Sequence, residues 1–313
     1  MKEIVIGSRG SALALQQAKL VQQAIQKHNP DVKVRIEIIR TTGDKMSRVA
    51  LSQLITSVKG LFVKEIEEAL RGQLIDLAVH SLKDLPAQLP EGLCLGAIPE
   101  REDPSDVLIT ATKISSLKEL PEGARLGTGS LRRRVQLQYL RPDLSISPIR
   151  GNVDTRLKKI WQRNLDGIVL AAAGVKRLGL EEKITYVFPV QEMVPAMGQG
   201  ALAVEIRSDD TAARQIIEPL DHPPTKRCTL AERRFLQKMG GGCHVPMGAH
   251  AYIENGKAVF SAFVGSPSRP QMVRKVSEGS PQDLQKLALD VADYLLSHGA
   301  DEILKELNTQ YQT

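Results

Sequence analysis

Short apolar runs alternate with segments of helical periodicity through the first two hundred residues of the chain. A buried strand is predicted at 4–6, and apolar positions recur with helical spacing over 13–25. An alternating strand follows at 32–38, then a helical segment at 61–70 and a buried strand at 75–79. This succession predicts βαβ units built around mostly parallel sheets.

Two changes of pattern divide the rest of the chain. A charged, proline-containing segment at 100–104 precedes a second α/β series, whose strands are predicted near 106–110, 125–128, 144–149 and 167–173. After Pro219 the pattern predicts a helix at 225–239, a glycine-rich loop, two or three strands within 249–276 and an amphipathic helix over about 281–297. The chain is therefore predicted to hold two α/β domains and a small α+β domain, with no internal repeat evident in the sequence.

The composition is that of a soluble globular protein. The 313 residues exceed what one hydrophobic core supports, and no segment approaches the roughly 20 apolar residues of a membrane span. The N-terminus enters a strand without the pattern of a secretory signal, so a cytoplasmic location is expected. Three well-separated cysteines (Cys94, Cys228 and Cys243) indicate neither a disulfide framework nor a metal site.

Positive charge is concentrated in one segment. Residues 125–177 contain nine Arg and three Lys but only three acids, whereas the whole chain has a net charge of +6. A solvated face or a nucleic-acid surface would be ordinary interpretations of such a segment. An aromatic content of 4% leaves few rings on which bases could stack, which argues against a nucleic-acid partner.

Arginines accompany small polar residues at three predicted strand-to-helix junctions, at 8–11, 128–134 and 150–156. Ser11, Ser130 and Asn152 fit helix N-caps. Cations in a first helical turn oppose the helix dipole, so the arginines after Ser130 are a local cost that an anionic ligand would offset. Guanidinium groups bind carboxylates in bidentate fashion, and Arg177 follows a further strand. The pattern favours a ligand with many carboxylates.

Two other segments carry candidate chemistry. The strand at 75–79 ends in His80, and Lys83 and Asp84 follow it, where α/β folds keep functional groups. A surface ion pair is the simpler interpretation of Lys83 and Asp84, and a structural role the simpler one for His80.

Cys243 follows three consecutive glycines, whereas Cys94 and Cys228 fit buried small hydrophobes. Its thiol is interpreted either as a nucleophile that turns over or as a covalent attachment point.

Seven motifs, in order along almost the whole chain, resemble the porphobilinogen deaminase family. They are found at 60–65, 80–86, 100–104, 127–133, 150–156, 198–201 and 241–246. The resemblance implies two type II periplasmic-binding-protein-like domains around a cleft and a C-terminal domain with the cofactor cysteine. It implies the division 1–100 with 194–218, 101–193, and 219–313.

The resemblance also implies the chemistry. Four porphobilinogen molecules would be deaminated and condensed head to tail on a dipyrromethane primer, which Cys243 holds through a thioether, and hydrolysis would release hydroxymethylbilane. Asp84 would contact pyrrole N–H groups and support the cation left when porphobilinogen loses ammonia. A cytoplasmic monomer without a nucleic-acid, membrane or metal partner is expected.

The binding residues implied by the resemblance fall into two groups. Cofactor contacts are expected at Cys243, Asp84, Lys83, Ser130, Arg132, Arg133 and Gly200. Substrate contacts are expected at Arg9, Ser11, Phe62, Arg150, Arg156, Arg177 and Gln199. Lys59 and Phe62 would end a mobile loop over 43–60, in which Val58 stands where the family commonly has glycine.

Two alternatives stay open at the level of sequence. A solute-binding module with an arginine-lined cleft would bind oligo-anions without chemistry, and its intact mass would equal the sequence mass. Cysteine-dependent acyl transfer through Cys243 and His244 is the other alternative, which thiol alkylation would test.

Overall fold

The computed structural model describes residues 3–40, 60–240, 245–269 and 271–310. The chain forms two compact units, Met1–Glu102 with Ala201–Lys226, and Asp103–Gly200 with Arg227–Thr313. The division into three domains that the sequence suggests stays a prediction.

The described residues form thirteen strands and nine α-helices. In chain order the strands are β1 Glu3–Ser8, β2 Lys33–Ile38, β3 Leu77–Ser81, β4 Leu93–Ala97, β5 Asp106–Thr110, β6 Arg125–Gly127, β7 Ser145–Ser147, β8 Gly167–Ala171, β9 Tyr186–Val187, β10 Leu202–Arg207, β11 Met247–Glu254, β12 Lys257–Gly265 and β13 Met272–Gly279. The helices are α1 Ala12–His28, α2 Gly60–Arg71, α3 Leu131–Leu140, α4 Val153–Gln162, α5 Ala172–Arg177, α6 Thr211–Ile217, α7 Pro223–Lys238, α8 Leu284–Leu295 and α9 Asp301–Gln310.

Each unit contains a five-stranded sheet, and the two sheets have equivalent topologies. The orders are β2-β1-β3-β10-β4 in the first unit and β7-β6-β8-β5-β9 in the second. In each sheet two neighbouring pairs are parallel, and the pairs that involve β10 or β5 are antiparallel. The sheets are thus more mixed than predicted, because β10 and β5 lie outside the series of strands and helices (β1 to β3, and β6 to β8) that builds the parallel part of each sheet.

The small C-terminal domain packs helices on a three-stranded antiparallel sheet, β11-β12-β13. Its core contains Phe235 of α7, Phe260 of β12 and Val291 of α8, all at most 1% exposed. Helix α9, which the sequence pattern did not predict, adds Ile303 to this core. The predicted fold class, α/β with a small α+β C-terminal domain, is confirmed.

Parallel strands place the predicted site residues at sheet edges. In the first unit, Arg9 follows β1 and Asp84 follows the adjacent, parallel β3. In the second unit, Ser130 follows β6, and Arg150 follows its parallel neighbour β7. Carboxyl ends of parallel strands meet at one edge, where helix N-termini present free N–H groups. Among the described helices, none is at once long and apolar enough to cross a bilayer.

Candidate functional site

The junctions β6–α3 and β7–α4 lie side by side in the second unit. The Thr128 amide donates a hydrogen bond to the Ser147 carbonyl oxygen at 3.0 Å. A Cβ on Gly129 would lie 2.5 Å from the carbonyl oxygen of Ile149, so only glycine permits this approach. Ser130 and Asn152 cap their helices as predicted, since their side chains accept from the amides three residues on. Two helix N-termini therefore open at one edge of the sheet.

Two arginines at the start of α3 are buried on a single carboxylate. Arg132 Nη2 lies 2.7 Å from Asp106 Oδ2, and Arg133 donates to Asp106 Oδ1 from Nε at 2.9 Å. Gln199 Nε2 donates to the same oxygen at 2.9 Å. Asp106 and Gln199 are 0% exposed and each arginine 5%. We call these four residues the Asp106 network.

The Asp106 network carries more positive than negative charge. Burial alone would raise the pKa of Asp106, but Arg132 and Arg133, with the Gln199 amide, hold that pKa below its usual range. Burial lowers the pKa of Arg132, with Asp106 acting against this effect and Arg133 adding to it. Arg132 Nε is buried without a hydrogen-bond partner among the described residues. One carboxylate thus serves two guanidinium groups, an arrangement that suits an additional anion at the helix start.

Replacing Asp106 with asparagine is expected to destabilise the protein by about 3–5 kcal/mol, because two buried guanidinium groups lose their counter-charge. The folded-state pKa of Asp106 is lowered, so its contribution is present above the ordinary value near pH 4 and is lost as the pH falls through the folded-state pKa. Urea unfolding at pH 7 and at stepwise lower pH measures both effects. The variant should lack this part of the acid dependence.

The control for this measurement is Asp290→Asn, which changes an exposed carboxylate of α8. Its unfolding free energy should stay within about 0.5 kcal/mol of wild type. Equal stabilities of the Asp106→Asn variant and wild type at pH 7 would contradict the assignment.

The other predicted arginines of the second unit contact backbone carbonyls. Arg156 Nε donates to Gly151 O and Arg177 Nη2 to Gly200 O, both at 2.7 Å, whereas Arg150 is exposed. Lys159 Nζ donates to Arg150 O at 2.6 Å. The pKa of Lys159 is lowered chiefly by burial and, to a smaller extent, by the nearby charges of Arg163 and Arg156. Like charges are therefore crowded around this junction, which favours an anionic ligand.

Asp84 stands on a short, well-anchored turn in the first unit. Leu82–Asp84 forms one turn of 3-10 helix, in which the Leu85 amide donates to Leu82 O at 3.2 Å. Leu82 and Leu85 are buried, while Lys83 is partly exposed and Asp84 is exposed. The two leucines thus hold the turn while the charged side chains between them stay accessible. Ser11 caps α1 by accepting from the Ala14 amide at 3.3 Å.

His80 and Glu205 form a buried side-chain contact behind that turn. His80 Nε2 lies 3.0 Å from Oε2 of Glu205 on β10, and both side chains are buried. Burial and then Glu205 raise the pKa of Glu67 on α2, against the lowering effect of His80. These contacts agree with the structural interpretation of His80.

Several predicted positions lie outside the described residues. They are Cys243, His244, Lys59 and the loop predicted over 43–60 except Gly60, which begins α2. Phe62 lies in α2, but its side chain is also outside the described part. Cys228 is buried as expected. Cys94 is not fully buried as predicted, because it lies on the edge strand β4, where its Sγ accepts from Arg214 Nη2 at 3.2 Å.

Two buried acids that the sequence interpretation missed organise the second unit. Asp106 begins β5 directly before three apolar residues, and Glu232 lies in α7; both are 0% exposed. A charged residue at the start of an apolar strand is a signal that could have found Asp106, since buried charges require partners. Glu232 has no comparable signal, because α7 carries charged residues throughout its length.

Comparison with known proteins gives matches over nearly the whole chain. Residues 4–215 match the family description "Porphobilinogen deaminase, dipyromethane cofactor binding domain", and residues 226–297 match "Porphobilinogen deaminase, C-terminal domain". A porphobilinogen deaminase of Carboxydothermus hydrogenoformans is 45% identical over 306 residues, covering 98% of this chain and 97% of that protein. One of Syntrophobacter fumaroxidans is 45% identical over 304 residues, covering 97% of each.

Likeness to solved structures is weaker. The methionine binding protein MetQ shares 14% identity with a TM-score of 0.43, covering 74% of this chain and 90% of that one. A TRAP periplasmic solute binding protein from Desulfovibrio salexigens shares 11% identity with a TM-score of 0.42, covering 75% of this chain and 76% of that one. Because these scores lie below 0.5, the fold class rests on the strand order of the two sheets.

Proposed function

Since the chain belongs to the porphobilinogen deaminase family, we propose that it condenses four porphobilinogen molecules head to tail on a primer held by Cys243 and releases the product by hydrolysis. The activity is that of a hydroxymethylbilane synthase, a transferase of porphyrin synthesis, and the cofactor is dipyrromethane. The observation that carries the residue assignment is the excess positive charge of the Asp106 network at the start of α3.

The residues of the second unit suit the carboxylates of the cofactor. When bound, dipyrromethane would supply the pyrrole carbon to which the first incoming unit is joined, and each later unit would be joined to the unit added before it. Arg132 and Arg133 would orient its carboxylates, assisted by Ser130 at the N-terminus of α3. Two observations on the described residues support this role: the Nε of Arg132 is buried without a hydrogen-bond partner, and one carboxylate, that of Asp106, contacts both guanidinium groups. Lys83 and Gly200 are proposed as further contacts.

Asp84 of the first unit is proposed as the catalytic carboxylate. Loss of ammonia from porphobilinogen leaves positive charge on the pyrrole, and a carboxylate held in place before the reaction stabilises that charge. The turn at Leu82–Asp84 provides such a group, because Leu82 and Leu85 anchor it while Asp84 stays exposed. Arg9 and Ser11, beyond the parallel strand β1, are proposed to bind substrate carboxylates.

The remaining substrate contacts are proposed for Arg150, Arg156, Arg177, Gln199 and Phe62. The crowding of cations around Arg150 and Arg156 supports acetate and propionate as their ligands. The Gln199 side chain already donates a hydrogen bond to Asp106, so a substrate contact would be an additional role. A cytoplasmic monomer without a nucleic-acid or membrane partner is also proposed, and the 4% aromatic content supports the absence of nucleic acid.

Leucine substitutions should distinguish a polymerising site from a simple anion trap. We place Arg132 and Arg133 near the incoming monomer, where an arginine matters at every addition. We place Arg177 with the grown chain, where an arginine matters only at later additions. Arg132→Leu or Arg133→Leu should therefore block primer assembly or the first additions. Arg177→Leu should let short enzyme-bound intermediates accumulate.

Mass spectrometry after limited substrate shows these intermediates as a ladder of monomer increments. Wild type supplies the reference ladder. An equal loss of turnover in every variant, with no enzyme-bound intermediate of a definite length accumulating, would contradict the positional assignment.

A further inference from the structure

Glu232 is a fully buried carboxylate that the proposed reaction does not use. It lies on α7 with 0% exposure. Its Oε2 accepts from the Gly198 amide at 2.6 Å, and its Oε1 accepts from the Ala251 amide at 2.9 Å. Burying a charge is costly unless hydrogen bonds compensate it. Both oxygens of Glu232 are used in this way, so the side chain joins the segment before β10 to strand β11.

The segment that Glu232 holds is a sharply bent loop with a glycine on either side of Gln199. Gly198 and Gly200 have φ angles of +73° and +88°, in the region that favours glycine. The backbone N–H of Gln199 donates to Ala196 O at 2.9 Å, which closes the turn. Glu232 holds one end of this 198–200 loop through Gly198, and Arg177 holds the other through Gly200 O.

The Gln199 side chain continues the connection into the Asp106 network. Its Nε2 donates to Asp106 Oδ1 at 2.9 Å and to Pro104 O at 2.7 Å. Asp106 in turn holds Arg132 and Arg133, and one further nitrogen of each arginine donates to a backbone carbonyl. Arg132 Nη1 donates to Val194 O at 2.7 Å, and Arg133 Nη1 donates to Val169 O at 3.0 Å. A shift of the 198–200 loop would therefore be transmitted to both guanidinium groups through buried contacts.

We propose that Glu232 is a positioning residue, which sets the orientation of Arg132 and Arg133 through the 198–200 loop and Asp106. Helix α7 ends at Lys238, five residues before Cys243, so the same helix carries Glu232 and leads into the cysteine segment. The connection would thus keep the carboxylate-binding start of α3 in register with the element that precedes the primer attachment. This inference rests on the proposed roles of Arg132, Arg133 and Cys243.

Glu232→Gln is the first test, because glutamine has a similar volume but only one acceptor oxygen. One of the Gly198 and Ala251 amides then loses its partner, and the 198–200 loop is released or shifted. Turnover should fall on the order of 100-fold, as expected for a misplacement of about 1 Å in a binding group. Mass spectrometry after limited substrate should show accumulation at the same early rung as Arg133→Leu. Glu232→Asp, which keeps the carboxylate, should recover part of the turnover.

A double-mutant cycle separates positioning from a general effect on stability. Gln199→Met interrupts the connection one step later, so the double variant with Glu232→Gln should lose little more turnover than Gln199→Met alone. Val291→Ala serves as the control, because it weakens the C-terminal core without touching the connection. It should keep wild-type turnover at a temperature where it is as fully folded as Glu232→Gln.

Three results would overturn the inference. They are wild-type turnover in folded Glu232→Gln, losses that multiply in the double variant, and an equal loss in Val291→Ala. If Glu232→Gln does not fold, Gln199→Met alone should accumulate the same early enzyme-bound intermediate. Wild-type turnover in Gln199→Met would then also overturn the inference. Failure of the proposed function is a different outcome, since wild type would then carry no primer or form no ladder.

Discussion

Replacing Asp84 with asparagine is expected to reduce turnover by about two to three orders of magnitude, the range seen when one electrostatic stabiliser is removed from an active site. An amide of the same shape carries no charge, so it cannot offset the cation that forms when ammonia leaves. The fold should be unaffected, because Leu82 and Leu85 anchor the turn and Asp84 itself is exposed. Steady-state rates at saturating porphobilinogen measure turnover, circular dichroism measures the fold, and intact mass shows whether the primer is retained, as we expect.

The matched control for Asp84→Asn is Glu91→Gln. Glu91 is also an exposed carboxylate of the first unit, but it lies shortly before the start of β4, whereas Asp84 lies shortly after the end of β3. Its variant should keep wild-type turnover and primer mass. Near-wild-type turnover in Asp84→Asn would reduce Asp84 to a surface ion-pair residue, the simpler alternative for this position.

Replacing Cys243 with alanine is expected to remove the covalent primer and with it all turnover. Denatured wild-type protein should be heavier than its sequence by two condensed pyrrole units, and the variant should have the sequence mass. The reason is chemical, since alanine has no sulfur with which to form the thioether. Intact-mass spectrometry of purified protein and the rate of porphobilinogen consumption measure the two effects.

Cys94→Ser is the control for this experiment, because Cys94 is a partly exposed thiol on an edge strand. It should keep both the mass increment and the activity. An unmodified wild-type protein with full activity would exclude a permanent primer and leave the alternative of a cysteine nucleophile that turns over. Full activity in Cys243→Ala would exclude both interpretations of this thiol.

The identity of most strands and helices could be predicted from periodicity, because burial of one face imposes a repeat on local sequence. The alternation at 32–38 corresponds to β2, and the helical spacing at 61–70 falls within α2. Helix α9 was missed, although it has an apolar face, and β10 was not assigned as the antiparallel strand of the first sheet. The pairing of β10 with β3 and β4 is a contact between residues more than a hundred positions apart, which no local pattern contains.

The same distinction between local sequence pattern and contacts of distant residues applies to the candidate site. Local sequence alone places arginines at strand-to-helix junctions and an acid after a buried strand, and it shows that the motifs resemble one family. The fold was needed to show that Arg132 and Arg133 share the carboxylate of Asp106 and that Glu232 is joined to them through the 198–200 loop. The physical reason is that a buried charge is defined by its partners, and those partners are brought together by strand order and helix packing rather than by spacing along the chain.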